Sequence, residues 1–132
     1  MNACIEFGTF VKTTRLANNI TARAASQAVG MLPSNFSKLE HGVLNPPKDA
    51  PKQKHLAAAI GVTLGSENET VFFDLAAKAN KATPVDLADI ISKDDAVPLL
   101  LRTIGNKRLS KRDIERLIEI VRETSNVSKK LR

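Results

Sequence analysis

Apolar residues along the 132-residue chain recur at helical spacing, and no segment alternates steadily between apolar and polar positions. This pattern predicts an all-α protein with eight helices and no strand. Helix-start and helix-stop residues set the approximate boundaries of these helices. They cover residues 6–18, 22–29, 33–42, 51–60, 66–79, 84–92, 96–104 and 110–124. The polar, basic stretch 125–132 has no periodicity and is expected to be a flexible tail.

Residues 22–42 have the pattern of two short helices joined by a tight turn. Gly30 stands directly after the first helix, where a left-handed backbone is wanted, and Pro33 suits the first turn of the second. Ala25 and Ser26 are small enough to let the second helix approach the first. Four apolar residues can face inward from this segment: Val29, Leu32, Phe36 and Leu39. The combination predicts a helix-turn-helix.

The charge balance favours an anionic partner. Lys and Arg number 20 against 14 Asp and Glu, which gives a net charge of +6. Residues 1–62 hold seven basic and three acidic residues, whereas residues 63–132 hold thirteen and eleven. Nucleic acid is the commonest partner of a basic domain. The absence of Trp and Tyr, with only five Phe, argues against aromatic stacking on single-stranded nucleic acid.

Several other classes of protein are disfavoured. The longest unbroken apolar run has five residues, and Met1–Arg15 lacks an apolar core of signal-peptide length, so we expect a cytoplasmic protein with no membrane span. Cys4, His41 and His55 have no ligand spacing, so no metal and no cofactor are expected. The Asp94-Asp95 pair is explained by a helix N-terminus, and no catalytic motif is found. We therefore expect a protein that is not an enzyme.

The helix-turn-helix and its flanks resemble the XRE/Cro-repressor family, whose DNA-binding domain is similar to that of lambda repressor. The matching segments are Thr21–Gly30, Pro33–Gly42, Asn45-Pro46 and Leu56–Val62. The resemblance covers roughly residues 6–80. It implies a five-helix, lambda-repressor-like DNA-binding domain over 1–80, followed by a small helical C-terminal region over 81–124.

Docking in this family implies that the helix beginning at Pro33 lies in the major groove. Base contacts are then expected from Ser34, Asn35 and Lys38, because Asn can pair with adenine and Lys can donate to guanine. Phosphate contacts are expected from Thr21, Arg23, Ser37, His41 and Arg15. The resemblance also implies a structural pair between Arg15 and Glu40. The simpler alternatives are helix-start chemistry for Ser34 and Asn35, and a solvated surface position for Arg23.

The C-terminal helices carry apolar stripes and no candidate chemistry. In the last helix the stripe consists of Ile114, Leu117, Ile118 and Val121, at positions i, i+3, i+4 and i+7. Too few residues remain here for a self-sufficient core, which makes this stripe a candidate homodimer interface. A small folded cap on a monomer is the alternative. Basic residues 107–112 are either a solvated loop or a phosphate contact.

The function predicted from these observations is a sequence-specific regulator of transcription that binds double-stranded DNA. The resemblance implies a repressor that acts as a homodimer on a pseudo-palindromic operator. Two alternatives stay open. One is an antitoxin, or another protein-interaction partner that uses the C-terminal helices and regulates its own promoter. The other is a ligand-responsive regulator.

Overall fold

The computed structural model describes the backbone of residues 2–131 and the side chains of residues 2–124. The described chain is all-α and contains no strand. Its helices are α1 (Ala3–Ala17), α2 (Ala22–Val29), α3 (Pro33–Glu40), α4 (Ala50–Ala59), α5 (Glu67–Asn80), α6 (Ala88–Ser92), α7 (Ala96–Asn106) and α8 (Lys111–Leu131). A 3-10 helix, Val85–Leu87, precedes α6.

Several helix ends differ from the sequence prediction, and the end of the last helix differs most. The last helix was expected to end near Thr124, but α8 continues to Leu131, so the backbone of most of the predicted tail 125–132 is helical. No Gly or Pro interrupts residues 111–131, and loss of apolar periodicity does not by itself end a helix. At the start of α7, Asp94 of the Asp94-Asp95 pair accepts the hydrogen bond from the backbone N–H of Ala96, at 2.8 Å. The side chains beyond Thr124 lie outside the described residues.

The chain divides into two compact units, residues 1–89 and 90–132. In the first unit, α1 packs on α3 and α5, and α2 packs on α3 and α4. The fully buried core includes Phe7, Phe36, Leu56 and Phe72. The rings of Phe7 and Phe72 lie 5.2 Å apart and join α1 to α5. Burial of large aromatic side chains supplies much of the stabilising free energy of so small a core.

The first unit extends past the boundary predicted at residue 80. Val85, in the 3-10 helix, packs against the core, so the segment after α5 belongs to this unit. Lys81 ends α5 in the left-handed conformation, with φ of 53°, and turns the chain into that segment. A non-glycine residue can adopt this conformation at a modest cost in free energy.

The second unit, taken by itself, has a different character. None of its described side chains is buried. The predicted stripe on α8 is open to solvent, with exposed fractions from 38% at Leu117 to 64% at Val121. Leu100 and Leu101 of α7 are about half exposed as well. Within the described residues, no helix is both long enough and apolar enough to cross a membrane.

Candidate nucleic-acid interface

The turn between α2 and α3 has the conformation that the sequence predicts. Gly30 adopts φ of 70°, and the backbone N–H of Met31 donates to the carbonyl of Ser26 at 2.9 Å. A Cβ at Gly30 would meet nothing within 4 Å, so the positive φ alone makes glycine favourable here. Ala25 and Ser26 are almost fully buried where the two helices cross. These features orient α3 across α2 with one face open to solvent.

The exposed face of α3 is a polar stripe. It consists of Ser34, Ser37, Lys38 and His41, which stand at i, i+3, i+4 and i+7 and are all exposed. Ser34, Ser37 and Lys38 have side-chain donors that point into solvent and are free for a partner. Asn35 lies at the edge of this stripe and is half-buried, which makes it less accessible than Ser34 or Lys38. We call Ser34, Ser37, Lys38 and His41 the polar face of α3.

His41 is held by its own helix. Its Nδ1 lies 2.7 Å from the carbonyl oxygen of Ser37, and because that oxygen can only accept, Nδ1 donates. In the neutral ring, Nε2 is then an acceptor. The predicted phosphate contact therefore requires the protonated form of His41.

The beginning of α2 presents two further predicted contacts. Thr21 caps the helix, and its Oγ1 accepts from the backbone N–H of Ala24 at 3.0 Å. The hydroxyl hydrogen is not used in that bond and remains able to donate to a phosphate oxygen. Arg23 is exposed in the first turn of the same helix. Both residues are placed where an anion could reach them.

Arg15 and Glu40 form a buried ion pair that joins the end of α1 to the end of α3. Arg15 Nε donates to Glu40 Oε2 at 2.8 Å, and Nη2 donates to Oε1 at 3.1 Å. Nη1 donates to the carbonyl of Ile20 at 3.0 Å. Only 8% of the Arg15 side chain is exposed. The implied structural pair is present, but burial and these three bonds argue against the direct phosphate contact predicted for Arg15.

The two helices and their turn carry no exposed negative charge. Between Phe7 and Lys48 the only acidic residue is Glu40, and Arg15 neutralises it inside the fold. The exposed charges of this segment are all basic: Lys12, Arg23, Lys38 and Lys48. The surface around the polar face therefore attracts anions.

Three residues that position this surface were not singled out in the sequence. A Cβ at Gly8 would overlap the carbonyl groups of Leu39 and Glu40, so this glycine lets α1 approach the end of α3. Asn18 donates to the carbonyl of Ile60 at 3.0 Å and so ties α1 to the end of α4. An isolated glycine within a helical pattern was the available signal for Gly8.

The loop between α3 and α4 is fixed at Pro47. Its carbonyl accepts from Gln53 Nε2 at 2.7 Å and from Asn80 Nδ2 at 3.2 Å, which fastens the loop to α4 and α5. Gln53, the third residue that the sequence did not indicate, is 2% exposed. A long polar side chain buried in this way is not predicted by periodicity.

Among the described residues, no group of three or more His, Cys, Asp or Glu side chains could hold a metal ion. The predicted interface residues of α8 lie in the second unit and share one face of that helix, as the sequence indicates. Comparisons of the chain with protein-family models, curated proteins and solved structures gave no match. A function for this protein is therefore inferred from its own residues and their geometry.

Proposed function

We propose that this protein is a sequence-specific regulator of transcription that binds double-stranded DNA through a lambda-repressor-like helix-turn-helix. In this proposal it acts as a homodimeric repressor that occupies its operator, and it has a binding role rather than a catalytic one. The observation that carries the proposal is the polar face of α3, exposed on a helix held rigidly by α1 and α2.

The dimensions of α3 suit the major groove. The groove is about 12 Å wide, and an α-helix with its side chains is about 10–12 Å across. Serine hydroxyls and the ammonium group of Lys38 match the donors and acceptors that base edges present there. Thr21 and Arg23 lie at the start of α2, where contacts to the DNA backbone would fix the register of α3.

Selection of bound sequences from random duplex DNA tests this proposal. We expect one recurrent site with two-fold symmetry and half-sites about 34–36 Å apart, one turn of the double helix. Enrichment of no sequence at all would refute sequence-specific binding.

Substitutions on α3 then test which residues read the bases. Lys38→Ala should weaken binding to the selected site by about 1–3 kcal/mol and change binding to random duplex much less. Asn35→Ala should have a smaller effect than Lys38→Ala, because Asn35 is half-buried at the edge of the face. Lys54→Ala removes the same charge from an exposed position of α4 and is the matched control. Equal losses on both kinds of DNA would mean that Lys38 contacts only the backbone.

The open stripe on α8 supports the homodimer. Full burial of an exposed aliphatic side chain contributes about 1.5–3 kcal/mol. At least 38% of each of these four side chains is exposed in the single chain, so covering the stripe would recover the corresponding share of that free energy. A second copy of the same stripe would cover this surface and bring two α3 helices to adjacent half-sites.

Sedimentation of the full chain measures this association. Ile118→Lys should shift the protein towards monomer and weaken binding to the full operator. Ile120→Lys is the matched control, because Ile120 is an exposed aliphatic residue of α8 outside the stripe. Monomeric wild-type protein at micromolar concentration would refute the homodimer.

A protein-binding antitoxin is the second candidate function. The same open apolar surfaces on α7 and α8 favour it, since a different protein could cover them. The two candidates differ in the state of the purified protein. The antitoxin requires a second protein that co-purifies with the chain and is displaced by substitutions in the α8 stripe.

A further inference from the structure

The net positive charge of the chain is concentrated in its second unit. Residues 90–132 contain eleven basic and six acidic residues, whereas residues 1–89 contain nine and eight. Within the second unit, the segment from Ala96 to Arg112 holds five basic residues and no acidic one. The helix-turn-helix therefore does not account for most of the net charge.

Four of these cations lie together where α7 passes into α8. They are Lys107, Arg108, Lys111 and Arg112, and all four are exposed. We call this group the basic turn. Among the described side chains, none of the four has a carboxylate within ion-pair distance. Arg108 adopts φ of 51°, a conformation that non-glycine residues seldom adopt.

The nearest acidic residue serves a different purpose. Asp113 Oδ2 accepts from the backbone N–H of Ser110 at 3.2 Å, and Ser110 Oγ accepts from the N–H of Asp113 at 3.2 Å. This reciprocal pair is a capping box at the start of α8. Asp113 therefore stabilises the helix end and, among the described residues, forms no ion pair with these cations.

The positive charges of the basic turn stand at positions where they do not stabilise the fold. Lys111 and Arg112 are the first two residues of α8, at the positive end of the helix dipole, where acidic side chains are stabilising and basic ones are not. Lys107 and Arg108 add like charge beside them. Since none of these four side chains has an ion-pair partner among the described residues, an anionic ligand is the simplest reason for the cluster.

We infer that the basic turn binds the phosphate backbone of double-stranded DNA, as a second contact separate from α3. The inference rests on the proposed function and extends it, because the second unit then supplies affinity without reading sequence. Phosphate contacts of this kind act on every sequence alike. An anionic membrane surface is less well suited, since helices that lie in that surface commonly carry Trp or Phe and the last aromatic residue of the chain is Phe73.

The salt dependence of DNA binding tests the inference. The variant replaces Lys107, Arg108, Lys111 and Arg112 by Gln in the full chain. The control replaces Lys54, Lys78, Lys81 and Lys93 by Gln, which removes the same net charge from exposed positions elsewhere. Circular dichroism and the melting temperature verify that each protein is folded.

The basic-turn variant should bind the selected operator and random duplex more weakly by the same factor, on the order of tenfold or more at 0.1 M salt. The slope of log K against log salt concentration should fall by about 0.9 for each phosphate that the variant no longer neutralises, so by up to about 3.6. The control should keep a slope close to that of the wild-type protein.

Equal slopes for the variant and the control would overturn the inference and leave sequence-specific binding intact. Failure of the wild-type protein to bind any duplex would overturn both the inference and the proposed function. Vesicles containing phosphatidylserine are the third arm of the experiment. If the variant loses binding to these vesicles but keeps the wild-type slope on DNA, the basic turn binds membranes and the inference is wrong.

Discussion

The ion pair between Arg15 and Glu40 should be strongly coupled, because it is buried and joins two helices. Arg15→Met leaves a carboxylate buried without its cation, and Glu40→Leu leaves a guanidinium with only its bond to the Ile20 carbonyl. Removing one partner of a buried pair costs about 3–5 kcal/mol. Each single substitution should therefore lower the free energy of unfolding by an amount in this range.

The double substitution should recover much of that loss. With both charges gone, no ion is left unpaired, and the apolar side chains can pack in the space between α1 and α3. Relative to the sum of the single effects, we expect an interaction energy of about 2–3 kcal/mol. Urea unfolding at pH 7, followed by circular dichroism, measures the four free energies of the cycle.

An exposed ion pair in the same protein is the matched control. Lys78 Nζ lies 3.4 Å from the carboxylate of Glu6, and 62% of the Lys78 side chain is exposed. Solvent screening should hold the coupling of this pair below about 1 kcal/mol. If the Arg15–Glu40 cycle gives additive effects, or a coupling no larger than that of the control, the pair does not hold α3 against α1 as argued above.

Two further substitutions test the packing and the electrostatics of the first unit. Gly8→Ala should destabilise the fold by about 1–3 kcal/mol, since the new Cβ would overlap the carbonyl groups at the end of α3. Gly105→Ala, where a Cβ meets nothing within 4 Å, should be neutral or stabilising, and equal melting temperatures for the two variants would contradict the packing argument. Burial raises the pKa of the Asp86 carboxyl above 3.8, and the nearby charges of Asp74 and Glu69 raise it further by smaller amounts. Because the folded state then holds this proton more tightly than the unfolded state, the contribution of Asp86 to stability is lost as the pH rises from 3.8 through the raised pKa. Asp86→Asn should accordingly raise the melting temperature at pH 7 and have little effect below pH 3.8, and an equal gain at both pH values would refute this explanation.

The local structure of the DNA-binding region could be predicted from the sequence. Thr21, Gly30 and Pro33 mark the ends of α2 and α3, and the structure places these ends at the same residues or next to them. Such signals arise from the backbone conformation and hydrogen bonding of residues that are neighbours along the chain, so they can be recognised in the sequence. The same holds for the start of α5 beside Ser66 and for the apolar stripe of α8.

Packing between segments that are far apart along the chain determined the exposure and contacts of several candidate site residues. Arg15 resembles a phosphate-binding residue in sequence, but packing of α1 against α3 buries its guanidinium against Glu40. Asn35 lies at the border between the buried and exposed faces of α3, and periodicity alone does not tell which side a border residue takes. Gly8 matters because the end of α3 lies against it, and these residues are far apart along the chain.

In both units, the sequence predicts the helices, whereas tertiary packing determines which side chains are buried. Periodicity along the chain determined that α7 and α8 are helices with apolar stripes, because the helical repeat is a local property. Only the tertiary structure revealed that Val85 belongs to the first core and that no described side chain of the second unit is buried. Burial depends on which surfaces meet across the fold, and a stripe in the sequence specifies an apolar face without specifying what covers it.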